Sequence, residues 1–246
     1  MKRIIYLIGF FLVLVSCQHT VKDAVVVKEY PKIYPDYIGV TIPVNIAPLN
    51  FNYVGGDLAR MDVVIKGSKG GELHVQGKEA SFDIEEWHEL VAQNKGGQLN
   101  LTVCVEMDGK WTQYNDFPIY VSNHPLDEWG LTYRRIAPGY EVYSSMGLYQ
   151  RDLSNFDEFA IIENTHVPGM CVNCHTAQQT DPSRFVFHVR GNHGATMFQI
   201  DGKREWLKAK NDLLGGSMVY PYWHPTGKYC AFSTNQTRQG FHVVPN

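Results

Sequence analysis

Apolar residues alternate with period two along several short stretches of this chain, and turn-forming residues separate the stretches. Ile38, Val40, Ile42, Val44 and Ile46 fill every second position of one run, which predicts a strand with Pro43 at a sheet edge or bulge. Residues 60–65 and 71–75 form a further pair of strand candidates. Residues 98–107, the turn pair Asp108-Gly109, and residues 110–114 predict a hairpin. The period changes once. Asp83 and Glu86 have capping-box spacing, and Ile84, Trp87, Leu90 and Val91 then share one face of a short helix. Aromatic-rich runs at 129–136 and 140–149 predict more strands, interrupted by Asn123-His124-Pro125 and Pro138-Gly139.

These elements predict a mainly β protein. Residues 37–121 read as an immunoglobulin-like β-sandwich with a helix between strands, and residues 122–168 as a connecting β layer. Residues 169–197 are expected to be a loop-like segment that carries the chemistry, and residues 198–246 a separate strand region.

The start of the chain follows another pattern. Lys2 and Arg3 precede an unbroken apolar run, residues 4–15, and Leu14-Val15-Ser16-Cys17 matches the bacterial lipobox. A membrane-spanning helix takes about 20 residues, so residues 1–16 read as a cleaved signal peptide. Cys17 is then the lipidation site, and several acyl chains anchor a protein where one does not. Residues 17–36, with Pro31 and Pro35, read as a tether. The expected location is a bacterial cell envelope, lipid-anchored, on the periplasmic side or at the outer membrane; Gln18 after Cys17 leans toward the outer membrane. Removing Lys2 and Arg3 with the signal makes the formal net charge of −3 two units more negative. With no basic stripe, nucleic acid is excluded as a partner.

The pentapeptide Cys171-Val172-Asn173-Cys174-His175 carries the candidate chemistry. C-x-x-C-H is the attachment pattern of c-type haem, in which the two thiols bond the vinyl groups and the following imidazole ligates iron. Export supports this reading, because covalent attachment in bacteria takes place outside the cytoplasmic membrane. His175 is expected as the proximal ligand. His188 is the preferred second axial ligand, with Met197 and His193 as alternatives. Phe185, Phe187, Met197 and Phe198 could wall a porphyrin or form ordinary β-core, and Arg190 or Arg184 could pair with propionates. Zinc is the rival cofactor, since Cys171, Cys174, His188 and His193 follow Cys₂His₂ spacing. A redox dithiol is a third reading. Cys104 and Cys230 remain, either as a disulfide or, preferably, as two separate thiols.

Residues 220–233, reading Tyr-Pro-Tyr-Trp-His-Pro-Thr-Gly-Lys-Tyr-Cys-Ala-Phe-Ser, resemble the WD40-like repeat of TolB-type propellers, Pro-x-Trp-Ser-Pro-Asp-Gly-Lys followed by a strand ending in Ala-Phe. His224 stands where the family has Ser and Thr226 where it has Asp, which implies a turn lacking one side-chain hydrogen bond. A propeller takes about 4–8 blades of about 40–45 residues, so residues 198–246 amount to about one blade. With the lipobox, the haem motif, Asp181-Pro182 and Phe187-His188-Val189-Arg190-Gly191, the chain resembles bacterial envelope lipoproteins labelled TolB-like or cytochrome c biosynthesis-related, in a C-terminally shortened form. The expectation is a membrane-anchored monohaem c-type protein that passes or senses electrons with an unidentified redox or scaffold protein, not a catalyst. The alternative is a TolB-like scaffold in which haem or zinc is structural.

Overall fold

The computed structural model describes residues 21–126, 130–136, 145–166, 169–179, 181–191, 193–208, 212–213 and 215–235. The expected signal peptide, Cys17, the start of the expected tether, Trp129 and the Pro138-Gly139 break lie outside them. The described chain is mainly β, with one α-helix and several separate sheets, none of them closed among the described residues. No helix among these residues is long and apolar enough to cross a membrane. The chain divides into two compact units, Met1–Thr41 with Leu49–Val121, and Ile42–Pro48 with Ser122–Asn246.

In the first unit the strand Gln98–Met107 is the centre of the larger sheet. Arg60–Gly67 pairs antiparallel along one of its edges; Phe117–Val121 and Lys110–Gln113 share the other. Glu72–Gly77 extends the sheet beyond Arg60–Gly67. Asp108 (φ 50°) and Gly109 (φ 71°) both adopt the left-handed conformation that a two-residue hairpin turn requires. Val25–Val26, parallel to Thr112–Gln113, and Thr41–Ile42, beside Phe117–Val121, complete the larger sheet, and Ile33–Tyr34, Phe51–Tyr53 and Glu79–Ala80 form a second, small one. Alternation buries Met61, Val63, Ile65, Leu99, Leu101 and Val103. The helix, Ile84–Gln93, adds Trp87, Leu90 and Val91 to the buried set. Asp83 caps it by accepting from the amides of Glu85 and Glu86. The ring of Trp87 stacks on Phe82 with centroids 5.6 Å apart.

The alternation at residues 38–46 does not produce the predicted strand. Only Thr41–Ile42 is extended. Gly39 turns the chain with φ 72°, and the Ile46 amide bonds back to the Pro43 carbonyl. Pro43 itself has no amide to give to a ladder.

The second unit holds three antiparallel sheets in chain order. The first comprises Gly130–Ile136, Met146–Asp152 and Glu158–Glu163. The second is a meander of Met170–Gln178, Asp181–Gly191, Ala195–Ile200 and Lys203–Leu207. The third is the hairpin Ser217–Trp223 with Cys230–Asn235. The expected loop at 169–197 is therefore corrected: it forms the first two strands and part of the third of one continuous sheet. Its apolar residues explain why. Val172, Phe185, Phe187, Val189 and Met197 gather on one face and bury themselves with Met170 and Leu148. At one end of this sheet Gly191 (φ 103°) lies against Gly169, so closely that a Cβ on Gly191 would stand 2.0 Å from the Gly169 carbonyl oxygen.

The turn of the third sheet also departs from expectation. The imidazole of His224 supplies the side-chain contact that Ser and Asp would have made: its Nδ1 accepts from the Thr226 amide (3.2 Å) and lies 2.8 Å from the Thr226 hydroxyl. The Gly227 amide closes the turn on the His224 carbonyl at 2.8 Å.

Candidate functional site

Strand pairing sets the site. Residues directly opposite in an antiparallel pair share a face, and faces alternate along each strand. Cys171 lies opposite Arg190, Asn173 opposite His188, and His188 opposite Thr196. These five side chains therefore share the face of the sheet opposite to the Val172, Phe187 and Met197 cluster.

A bulge follows. The register shifts between Asn173 and Thr176, and Cys174 takes φ 52°, an uncommon value for a residue with a side chain. The shift turns Cys174 back toward the Cys171 side, where Arg190 Nη2 donates to Cys174 Sγ over 3.6 Å. It sends His175 the other way. The His175 ring lies 6.0 Å from that of Phe185, within the apolar cluster, and its Nε2 donates to the Thr132 carbonyl at 3.4 Å.

Burial governs the electrostatics. It holds the Cys171 thiol above its ordinary pKa, against the opposing pull of Arg190 and Arg134. It pushes His188 down to about 4, with Arg190 acting in the same direction. His175 is also lowered by burial, partly offset by its bond to Thr132. Both imidazoles are thus neutral at pH 7, the form that ligates metal. His188 Nδ1 lies 2.9 Å from the hydroxyl of Thr196, which is buried with it.

The structure sorts the sequence candidates. Cys171, Cys174, His188 and Arg190 come together on one face. Met197 lies on the other, in the core, and His193 is exposed beyond the end of its strand. Arg184 is engaged elsewhere, with Asp201 (3.4 Å) and the Gly227 carbonyl (3.2 Å). Phe198 meets Trp223 and Phe232 edge-on. Cys104, Cys171, Cys174 and Cys230 are free thiols. Among the described residues no three His, Cys, Asp or Glu side chains are gathered to hold a metal ion. Sequence reasoning missed Thr196. The signal was present: the bend at Gly191-x-x-Gly194 places position 196 across from 188 in a hairpin.

A haem joined through two thioethers needs both sulfurs at one edge and an imidazole on the iron. The two thiols meet the first condition, lying on one face beside a guanidinium. His188, on that same face, offers a neutral imidazole. His175, the imidazole that the motif assigns to iron, lies on the opposite face and does not fit as folded here. No protein-family model matches this chain, and no curated protein matches it in sequence.

Proposed function

We propose that this chain is a membrane-anchored, single-haem c-type protein of the bacterial cell envelope, lipidated at Cys17, that passes or senses electrons with a protein partner. The observation that carries the reading is Cys171-x-x-Cys174-His175 in a chain that opens with a signal peptide and lipobox, with the two thiols turned to one face by the bulge at Cys174. The haem, when bound, would supply a one-electron iron couple. The chain's own part is to fix the cofactor through two sulfurs, offer neutral imidazoles, and place a cationic Arg190 beside it. Each attachment is an addition: the thiol S–H adds across a vinyl C=C, sulfur bonding one carbon and hydrogen the other, and nothing leaves.

The finer fold belongs to the same reading. The two sheets of the first unit support an immunoglobulin-like sandwich. The three successive sheets of the second support a partial TolB-like propeller, with the haem strand on the inside of the middle blade. Met170–Gln178 touches both neighbours: Leu148 of the first sheet joins Met170 and Val172, and Trp223 of the third donates to the Thr176 carbonyl at 3.3 Å. A partner-binding role for the third sheet is favoured by Tyr220, Tyr222 and Tyr229, each more than two-thirds exposed.

The test is maturation in a host with the haem-attachment machinery, followed by haem staining on a denaturing gel and intact mass. The expected result is a gain of one whole haem, abolished by Cys171→Ser with Cys174→Ser. Colourless protein whose two thiols still alkylate overturns the proposal.

A further inference from the structure

We propose that the free edge of the larger sheet in the first unit, where it runs beside the helix, is a docking groove for an extended, lysine- or arginine-bearing segment of a partner protein. This goes beyond the haem reading and holds whether or not haem is attached. The first observation is the edge itself. Glu72–Gly77 pairs with Arg60–Gly67 and, among the described residues, with no other strand. The Gly67 amide donates to the Gly71 carbonyl at 3.0 Å, which makes these two a hydrogen-bonded pair. Bonded and non-bonded pairs alternate along an antiparallel ladder, so Glu72 and His74 turn their own N–H and C=O outward. A row of outward backbone groups is a template for one more strand.

The second observation is a groove of about 380 Å³ along this edge, lined by Glu72, Leu73 and His74 of the strand and by Glu86, Glu89 and Gln93 of the helix. Positions 86, 89 and 93 are three and four apart and share one helix face. Gly71 (φ 81°) lets the strand meet the helix at one end, since a Cβ there would stand 2.7 Å from Leu90 Cδ1. Charge is the third. Three carboxylates line the groove, and no lysine or arginine does. Lys66 pairs with Glu72 at 3.5 Å, whereas Glu86 and Glu89 take part in no ion pair among the described residues. An added strand lies about 4.8 Å from its neighbour and turns alternate side chains toward the helix, where cationic ones meet Glu86 and Glu89. The backbone ladder supplies the grip and the carboxylates select the partner. Two copies of this chain meeting edge to edge would bring these like charges together, so the occupant is a different, basic segment.

The experiment titrates the full chain with a short fluorescent peptide alternating lysine and valine, read by anisotropy and by backbone hydrogen exchange. The expected result is saturable binding, with the amides of Glu72 and His74 gaining protection. A peptide alternating glutamate and valine should not bind. The lysine peptide N-methylated at alternate residues keeps its charge but cannot pair with the edge, and its binding should be lost. Glu86→Gln with Glu89→Gln should weaken the parent peptide roughly fivefold, as the loss of two exposed charge pairs. Both side chains are exposed and glutamine keeps their length, so the fold is expected to stand, and an unchanged unfolding midpoint checks it. Absence of saturable binding, equal binding of the N-methylated or the glutamate peptide, or an affinity untouched by the double substitution each overturns the proposal.

Discussion

The two units treat their buried polar groups in different ways. In the first, Asp62 and Asn94, both buried, are each held by several partners. Asp62 accepts from His74 at 2.8 Å and also from Gln76. Asn94, at the end of the helix, accepts from the Lys69 amide and donates to the carbonyls of Gly70 and Leu90. These groups tie the helix and the adjoining strands together, each through more than one hydrogen bond. In the second unit His188 is tied through Nδ1 to one hydroxyl, and the Cys174 sulfur accepts from one guanidinium, that of Arg190. The contrast teaches where to look for chemistry: saturated buried polar groups build architecture, while groups with a bonding position to spare can take a ligand.

Three measurements would break or sharpen that contrast. The largest effect is expected from Trp87→Ala, which empties the centre of the first unit's core. The helix side chain is fully buried, and its loss should cost about 3–5 kcal/mol in denaturant unfolding. Covalent haem should be retained. Loss of haem in this variant would show that the two units are not chemically separate.

A smaller effect concerns Cys104, also in the first unit. Burial, and then the charges of Asp62 and Asp116, raise its thiol from 9.0 to about 11. The sign follows from linkage: between these values the unfolded chain has released the proton and the folded chain has kept it, so stability falls as pH rises. Below pH 9 this contribution is fully present; it is lost on passing through 11. Its size is on the order of 3 kcal/mol. Chemical denaturation across this window should show a shallower decline for Cys104→Ala than for the parent. Equal slopes would place Cys104 in a wetter environment than its burial indicates.

The smallest effect is expected at the helix cap. Asp83→Ala removes the acceptor for two amides and should cost about 1 kcal/mol, read as a shift in the unfolding midpoint with no change in any haem spectrum.

What the sequence disclosed followed from local rules. The hairpin at 98–113 announced itself through Asp108-Gly109, and the helix through Asp83 and the spacing of Trp87, Leu90 and Val91. Local rules failed along the strand that carries the candidate site. Along Met170–Gln178 two cysteines, an asparagine and a histidine interrupt the apolar alternation, so the segment reads as a loop until its partners are known. Residues 38–46 failed in the opposite sense: of a perfect alternation only the stretch around Thr41–Ile42 pairs, alongside Phe117–Val121, because Gly39 turns the chain before it and Pro43 stops it after. The candidate site was legible as a list of residue types. Which of them share a face was not, because the bulge at Cys174 reverses the sides of the residues that follow it as far as Ala177, where the register shifts again.

The contact between Gly191 and Gly169 has a consequence for which changes this molecule tolerates. At the margin of the sheet two bare backbones lie together, one residue beyond Arg190 and two before Cys171. Any methyl group placed at 191 would wedge the margin open and draw the guanidinium away from the sulfurs it accompanies. Gly191 thus acts as a clasp, holding shut by its lack of bulk the rim beside which Arg190 and Cys171 stand.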